Sequence, residues 1–497
     1  MRGFGIDFGT TNSVVATCDS STRRVLPLPD SNGRPHPSII WFRADGTVTV
    51  GRKAKNNLNS FADEVGNAFI SSIKRQLGKG KSYRIFGQPK STVQIAKEIF
   101  NHLRTHAKNQ HHLNLDSATV TIPIYFDGNS RRELREAADQ AGIYIKTFVH
   151  EPFAAVVGYC HSDDGSRLEQ LEGRNILVFD WGGGTLDITV AGIRSGKIIQ
   201  MGRGSLNDRA GDNFDHKLHQ LTFSRFLDKH SIRPPDARLG PSAMDRYLAE
   251  CERAKIALSD LESDLVEVAQ AIDCDHKVYD IEENITRGDL ESLIQIDVRD
   301  ALAEVDRAIE EARLTSREID LVLLIGGSSL IPLVQSQMTV RFGARIVHVS
   351  NADTIIAEGA ALVDSLGMQP VLARPIGIRL ADQSFYEVFP EGTVAKPAIC
   401  QKTINFFCTD NRDGEAKFIL VERMDQQEIT KPQVLSIPVS RQLPRKYAPQ
   451  ERIIVNFKLD EDLILHVTAK GATQSKGGSL AVNDLLFALN TREAQSE

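Results

Sequence analysis

Cysteine is scarce here. Cys18, Cys160, Cys251, Cys274, Cys400 and Cys408 are the only six in 497 residues, and none forms a CxxC pair. Scattered single cysteines in a long chain read as reduced, mostly buried thiols, not as a disulfide scaffold. Long hydrophobic runs are also missing. No stretch approaches 18 consecutive apolar residues, so no membrane span is expected. The opening MRGFGID has no apolar signal-peptide core, and a cytoplasmic location is expected. Positive charge is not in excess: 59 basic residues face 65 acidic ones, for a net charge of −6. A general nucleic-acid binder usually leaves a basic footprint, so that class is set aside. The thirteen histidines include the pair His111-His112 but show no zinc-site spacing. His102 and His106 lie four apart on an expected helix and could share a face; a solvated helix surface is the plain reading.

What is present is α/β patterning. Up to about residue 370, short β-rich runs (FGIDF, ATVTI, NILVFD, DLVLLIGG) alternate with helical patterns such as SRRELREAADQAG and DVRDALAEVDRAIEEARL. After about residue 375 the character changes. KTINFFCT, AKFILVER, QVLSIPV, RIIVNFKL and LILHVTA recur with turn residues between them, which predicts an all-β sandwich. VNDLLFALNT near the end reads as one short strand or helix. Length alone suggests two to four domains.

The chain also echoes itself. DFGTTNSVVA at 7–16 resembles DWGGGTLDITVA at 180–191. Each is an apolar run, an acid, a turn of small residues and a β-branched run. In the first, Gly9 lets backbone approach a ligand, and Thr10, Thr11 and Asn12 offer donors. Asp7 could face phosphate only across a cation, which implies a hard divalent ion. In the second, Gly182, Gly183 and Gly184 follow Asp180, and then come Thr185 and Asp187. A third motif, LLIGGSSLIP, runs a strand into Gly326, Gly327 and Ser328, with Pro332 in the first turn of a helix. The plain alternative for each is an ordinary turn.

The ordered set DFGTTNS, IKRQLG, TIPIYF, EPFAA, FDWGGGTLDI, AGDNFD, CERAKIALS, ITRGDLE, IGGSSLIP and NADTIIAEGAA resembles the DnaK-type seventy-kilodalton heat-shock chaperones. The resemblance covers roughly residues 1–370 and extends more weakly through FKLDEDLILHVTAKG. It implies an α/β actin-like ATPase domain, duplicated in two lobes, followed by an all-β sandwich that binds extended peptide. The implied boundaries are 1–366 for the nucleotide-binding domain, 367–374 for a linker, 375–485 for the sandwich and 486–497 for a tail with no helical lid.

Carried over by motif, Asp7, Glu151, Asp180 and Asp187 would surround Mg²⁺, largely through its waters, with K⁺ as a further candidate ion. Lys74 would position the attacking water and stabilise charge on the γ-phosphate, which Thr185 would contact. Gly9 to Asn12 and Gly182 to Gly184 would be the phosphate turns for ATP or ADP. Gly211 and Asp212 would lie near the ribose. Glu252, Lys255, Ile256 and Ser259 would touch the nucleoside opposite Gly326, Gly327, Ser328, Leu330 and Asp353, the first, second and fourth of these sharing one helical face. Implied partners are unfolded polypeptide, a J-domain co-chaperone and a nucleotide exchange factor. The alternative is a nucleotide-gated binding protein with one dedicated partner.

The sequence departs from that family at identifiable places. Many relatives carry arginine where Ile256 and Leu330 stand. The stretch DSLGMQPVLARPIGI replaces an acid-flanked run of leucines, and Pro370 within it lacks an amide for a sheet edge. Thr147 and His150 replace an arginine and an asparagine before EPFAA. Pro123 and Arg131 do match the family's domain-coupling pair. Ile404, Phe406 and Cys408 alternate onto one face, as sandwich core or as a pocket lining.

Overall fold

The computed structural model describes residues 2–61, 64–124, 126–161, 167–234, 237–239, 243–274, 277–349, 351–395, 400–408, 413–424, 427–428, 432–440 and 451–492. Tyr125 of TIPIYF and residues 493–497 of the expected tail lie outside them. The chain divides into two compact units. The first comprises Met1–Ile124, Glu133–Arg194 and Gln200–Leu366; the second comprises Tyr125–Arg132, Ser195–Ile199 and Gly367–Glu497.

The echo in the sequence becomes a duplicated sheet in the first unit. Arg2–Phe8 pairs antiparallel with Asn12–Asp19 and parallel with Ser117–Ile122, which pairs parallel with Tyr144–His150. Asn175–Trp181 pairs antiparallel with Thr185–Arg194 and parallel with Leu321–Ile325, which pairs parallel with Ile346–His348. Each half is therefore one hairpin with two parallel strands beside it. The central strands read as continuous apolar runs because both faces are covered. The helix Ile355–Leu366 lies so close on Arg2–Phe8 that a Cβ on Gly5 would come within 2.2 Å of the Ala361 nitrogen. The same contact is pinned by Phe4 N–H, which donates to Asp364 Oδ2 at 2.8 Å.

The second half carries further helices around a core of Trp181, Phe214 and Tyr247. Its long helix, Arg287–Glu311, starts at a reciprocal cap in which Thr286 and Asp289 satisfy each other's backbone amides. Helix Ala243–Ala257 ends before Ser259, which sits in the following turn with its N–H on the Ile256 carbonyl at 3.1 Å. The single helical face expected for Glu252, Lys255 and Ser259 thus holds only for the first two.

His102 and His106 also depart from expectation. They turn inward and meet His36, whose ring lies 4.5 Å from that of His106. His36 Nε2 lies 3.0 Å from the Leu28 carbonyl, which can only accept, so Nε2 carries the proton. His36 Nδ1 then accepts from His102 Nε2 at 3.1 Å.

The second unit contains two antiparallel sheets. One has Phe385–Phe389, Ile376–Arg379, Glu415–Met424 and Gln433–Pro438. The other has Gln401–Phe407, Arg452–Leu459, Leu465–Gly471 and Gly477–Val482. Strict alternation buries Ile453, Val455, Phe457 and Leu459 on one face of their strand. Phe406 is half-buried and packs edge-on against Tyr386 and Phe418 at the rim of that core.

Two further strands belong to this unit. Gln369–Leu372, in the expected linker, pairs antiparallel with Phe487–Asn490, in the expected tail. Arg131 also groups with this unit. Its guanidinium donates to the carbonyls of Phe126, Asp462, Leu463 and Asn483.

Candidate functional site

The three glycine turns of the first unit converge. Ser328 Oγ donates to the Gly182 carbonyl at 2.9 Å, tying the third motif to the second. The amides of Gly211 and Asp212 donate to the carbonyls of Gly182 and Gly183 at 3.2 and 2.7 Å. A Cβ on Gly183 would lie 2.7 Å from Thr11 Oγ1, so the first turn approaches the second. A Cβ on Gly211 would meet Ser328 Oγ, Gly183 Cα and Lys255 Nζ, all within 3.1 Å. Gly326 adopts φ 77°, and a side chain there would strike the Asp180 carboxylate and the Trp181 backbone. Glycine is required at that crossing on both counts.

Acids gather where the strands end. Asp7 and Asp180 are the penultimate residues of the two equivalent strands, and Asp187 faces Asp180 across its hairpin. Lys74, from the short turn Ile73–Gln76, is buried and donates to Glu151 Oε1 at 2.6 Å. Glu151 opens helix Glu151–His161. Thr121 Oγ1 donates to Asp7 at 2.8 Å, and Thr185 Oγ1 to Asp187 at 2.9 Å.

Burial, then the charge of Glu151, raises Asp7 to about 6 against the pull of Lys74 and Thr121. Burial and Glu151 likewise raise Asp187 to about 6. Asp180 rises well above the usual carboxylate range through burial, then Glu151, Asp187 and Asp7. Burial opposes charge on Lys74, but Glu151, Asp7 and Asp187 outweigh it and raise its pKa.

Four carboxyl groups thus share one buried cation. That all-oxygen excess suits a hard divalent ion. Among the described residues no three His, Cys, Asp or Glu side chains are grouped so as to hold a metal ion.

The other expected residues separate by position. Lys255 is buried, donates to the Gly211 carbonyl at 2.9 Å and pairs with Asp215 at 2.8 Å. Glu252 is engaged by Lys55 of helix Arg52–Phe61 at 2.7 Å, and that pair outweighs burial and lowers its pKa. Ile256 and Leu330 are 51% and 44% exposed, open apolar surfaces where a base could lie. Asp353 is exposed in the turn before helix Ile355–Leu366, and no hydrogen bond joins it to Gly327 or Ser328. Asn12 is exposed, while Thr10 and Thr11 are half-buried.

Sequence reasoning missed the supports. Ser38 N–H donates to the Thr11 carbonyl at 2.8 Å, and its hydroxyl donates to the Gly9 carbonyl at 2.9 Å. Arg75, beside Lys74, donates to the Gly184 carbonyl and pairs with Asp208 at 3.5 Å. Its place in IKRQLG was the only available signal. Thr121 and Asp215 lie likewise inside TIPIYF and AGDNFD, while Lys55 carried no signal.

Comparison with known proteins covers almost the whole chain. The family model described as Hsp70 protein matches residues 3–493. The chaperone protein DnaK of Metamycoplasma hominis is 26% identical over 500 residues, which span 97% of this chain and 79% of that protein. That of Thermotoga maritima is 29% identical over 499 residues, 96% of this chain and 80% of its own. That of Mycoplasma mobile is 31% identical over 358 residues, 72% and 57% respectively.

Proposed function

We propose that this chain, which belongs to the Hsp70 family, binds ATP with Mg²⁺ at the converging glycine turns, hydrolyses it, and couples that cycle to extended peptide held by its β-sandwich. The family joins a two-lobed actin-like ATPase domain to such a sandwich, and its members are ATP-dependent chaperones that bind unfolded polypeptide and co-chaperones. The finer reading rests on residues of this chain.

One observation carries it: Lys74, buried among four acids beside three glycine turns that meet at Gly183, Gly211 and Ser328. Phosphoryl transfer to water needs positioning and charge stabilisation more than covalent help. Lys74 would orient the attacking water and offset charge on the γ-phosphate. The amides of the two hairpin turns would hold phosphate oxygens. Asp7, Glu151, Asp180 and Asp187 would hold Mg²⁺ through its waters, and the ion would neutralise developing phosphate charge. Lys255 and Ser328 would support the nucleoside side, with Ile256 and Leu330 giving the base apolar contact in place of an arginine face.

The test is single-turnover ATP hydrolysis with and without a panel of unfolded peptides, in the intact protein and in Lys74→Ala. Loss of hydrolysis in the variant with peptide acceleration of the intact protein supports the whole reading. Lys74-dependent hydrolysis that no peptide changes would favour a nucleotide-gated protein with one dedicated partner. That second reading has its own support, because the linker residues Gln369–Leu372 are already paired within the second unit. Hydrolysis indifferent to Lys74 would overturn the site.

A further inference from the structure

The strand Gln369–Leu372 is engaged on both edges. On one side Gln369, Pro370, Val371 and Leu372 face Asn490, Leu489, Ala488 and Phe487 in antiparallel register. The pairing continues as Ala373 N–H donates to the Leu486 carbonyl at 2.9 Å. On the other side Leu372 N–H donates to Thr393 at 2.9 Å, and Gly392 N–H donates back to Leu372 at 2.8 Å. Ala395 N–H reaches the Pro370 carbonyl at 3.4 Å.

This alternation explains why proline is tolerated. Residues 370 and 372 turn their polar backbone toward Gly392–Ala395, whereas 371 and 373 turn theirs toward the strand Phe487–Asn490. Proline's missing amide therefore costs that strand nothing. The second neighbour is well fastened. Leu486 N–H donates to Glu422 Oε1 at 3.1 Å, and Glu422 is itself 2% exposed. Val371, Ala373 and Ala488 form a small buried core. Leu485, Phe487 and Leu489 are buried as well.

We propose that Leu485–Asn490 is a strap that sequesters the linker strand inside the second unit. A linker transmits state only if its backbone can exchange one partner for another. Here both of its edges are filled by segments of the same chain, the longer pairing being with Phe487–Asn490, so release requires that segment to peel away. The strap and the linker open as one unit, and the strength of the strap sets how strongly peptide and ATP sense each other. This rests on the reading of Gly367–Arg374 as the connection between ATP site and sandwich.

The experiment is amide hydrogen exchange across 368–373 and 485–490 in the full chain, with hydrolysis measured alongside. In the intact protein the two segments should exchange at a common rate. Stopping the chain after Asp484 should speed exchange at Val371 and Ala373 by about tenfold or more, since two buried backbone bonds lose their partners. Peptide acceleration of hydrolysis should rise in the same variant. Val371→Cys with Ala488→Cys places two thiols directly opposite each other. A disulfide there should hold linker exchange slow with ATP present and remove the peptide response, and reduction should restore both. This second variant reads in the opposite direction, so a shortened chain that fails to fold does not end the test. Unchanged linker exchange after removal of the strap, or an oxidised pair that leaves the peptide response intact, would overturn the proposal. Absence of Lys74-dependent hydrolysis would instead count against the ATP reading, because the exchange rates report on the strap alone.

Discussion

The two halves of the first unit share one strand plan but steady their turns by different means. In the first half the parallel neighbour places Thr121 beside Asp7, and its hydroxyl bonds the carboxylate. In the second half the same register places Ile325 beside Asp180. Burial and Glu151 raise Asp7 to about 6 against Lys74 and Thr121, whereas burial, Glu151, Asp187 and Asp7 raise Asp180 well above its usual range with only Lys74 opposing. The turns differ too. Ser38 fastens the first from the strand side, whereas Gly211, Asp212 and Ser328 fasten the second from two helix starts. Duplication fixes where an acid can stand. The neighbours decide what it costs to keep that acid charged.

If that comparison holds, Asp180 depends on a cation more than Asp7 does. Asp180→Asn should lower single-turnover hydrolysis by about 10²-fold or more, and Asp7→Asn by less. In nucleotide-free protein without Mg²⁺ the effect should reverse in sign while Asp180 keeps the larger share. Asp180→Asn should stabilise by about 1–2 kcal/mol in thermal unfolding, and Asp7→Asn should do less. Equal effects from the two variants would break the comparison.

Thr121→Val makes the first half resemble the second. It should cost about 1 kcal/mol of stability near neutral pH and bring the Asp7→Asn phenotype closer to that of Asp180→Asn. A double-mutant cycle with denaturant unfolding checks both.

The two turn supports can be removed singly. Ser38→Ala and Ser328→Ala each take one hydrogen bond from a turn carbonyl. Each should weaken ATP binding by roughly two- to tenfold in titration calorimetry. A loss confined to one of them would show that the two turns do not share the ligand.

The smallest expected effect is a pH dependence confined to the first half, where His36 pairs with Ser13 just after its turn. Burial lowers His36 and His102 to about 4 from 6.5. The unfolded chain then binds more protons than the folded one between those values. Their contribution is fully present above about 6.5, is lost as pH falls toward 4, and levels off below. Asp7 and Asp187, raised to about 6, act in the opposite sense over part of that range. The diagnostic quantity is therefore the difference between intact protein and the His36→Gln/His102→Gln variant. A difference that does not change between pH 7 and pH 5 would contradict the buried neutral pair.

The strand ends were legible because an apolar run, an acid and glycine form a local signal that needs no partner. Asp7, Asp180 and the turn at Gly326 could be named on that basis. Ser38 and Thr121 could not, since each acts on a turn or acid that only sheet pairing brings near. Helical spacing put His102 and His106 on one face, but only strand His36–Pro37, packed beside it, made that face interior. Ser259 was misplaced because the helix ends at Ala257 and the next residues tighten into a turn. The sequence shows the linker only as a divergent stretch in which Pro370 lacks an amide for a sheet edge. Its pairing to a strand more than a hundred residues away leaves no local trace.

The contact of Arg2–Phe8 with helix Ile355–Leu366 has a consequence for synthesis. Arg2–Phe8 leaves the ribosome well before the helix that covers it through Gly5 and the Phe4–Asp364 bond. At translation rates of about 5–20 residues per second, that strand waits roughly 20–70 s for its cover. For that interval the nascent chain presents a short apolar strand with an open edge, so it would itself need protection before it could protect anything else.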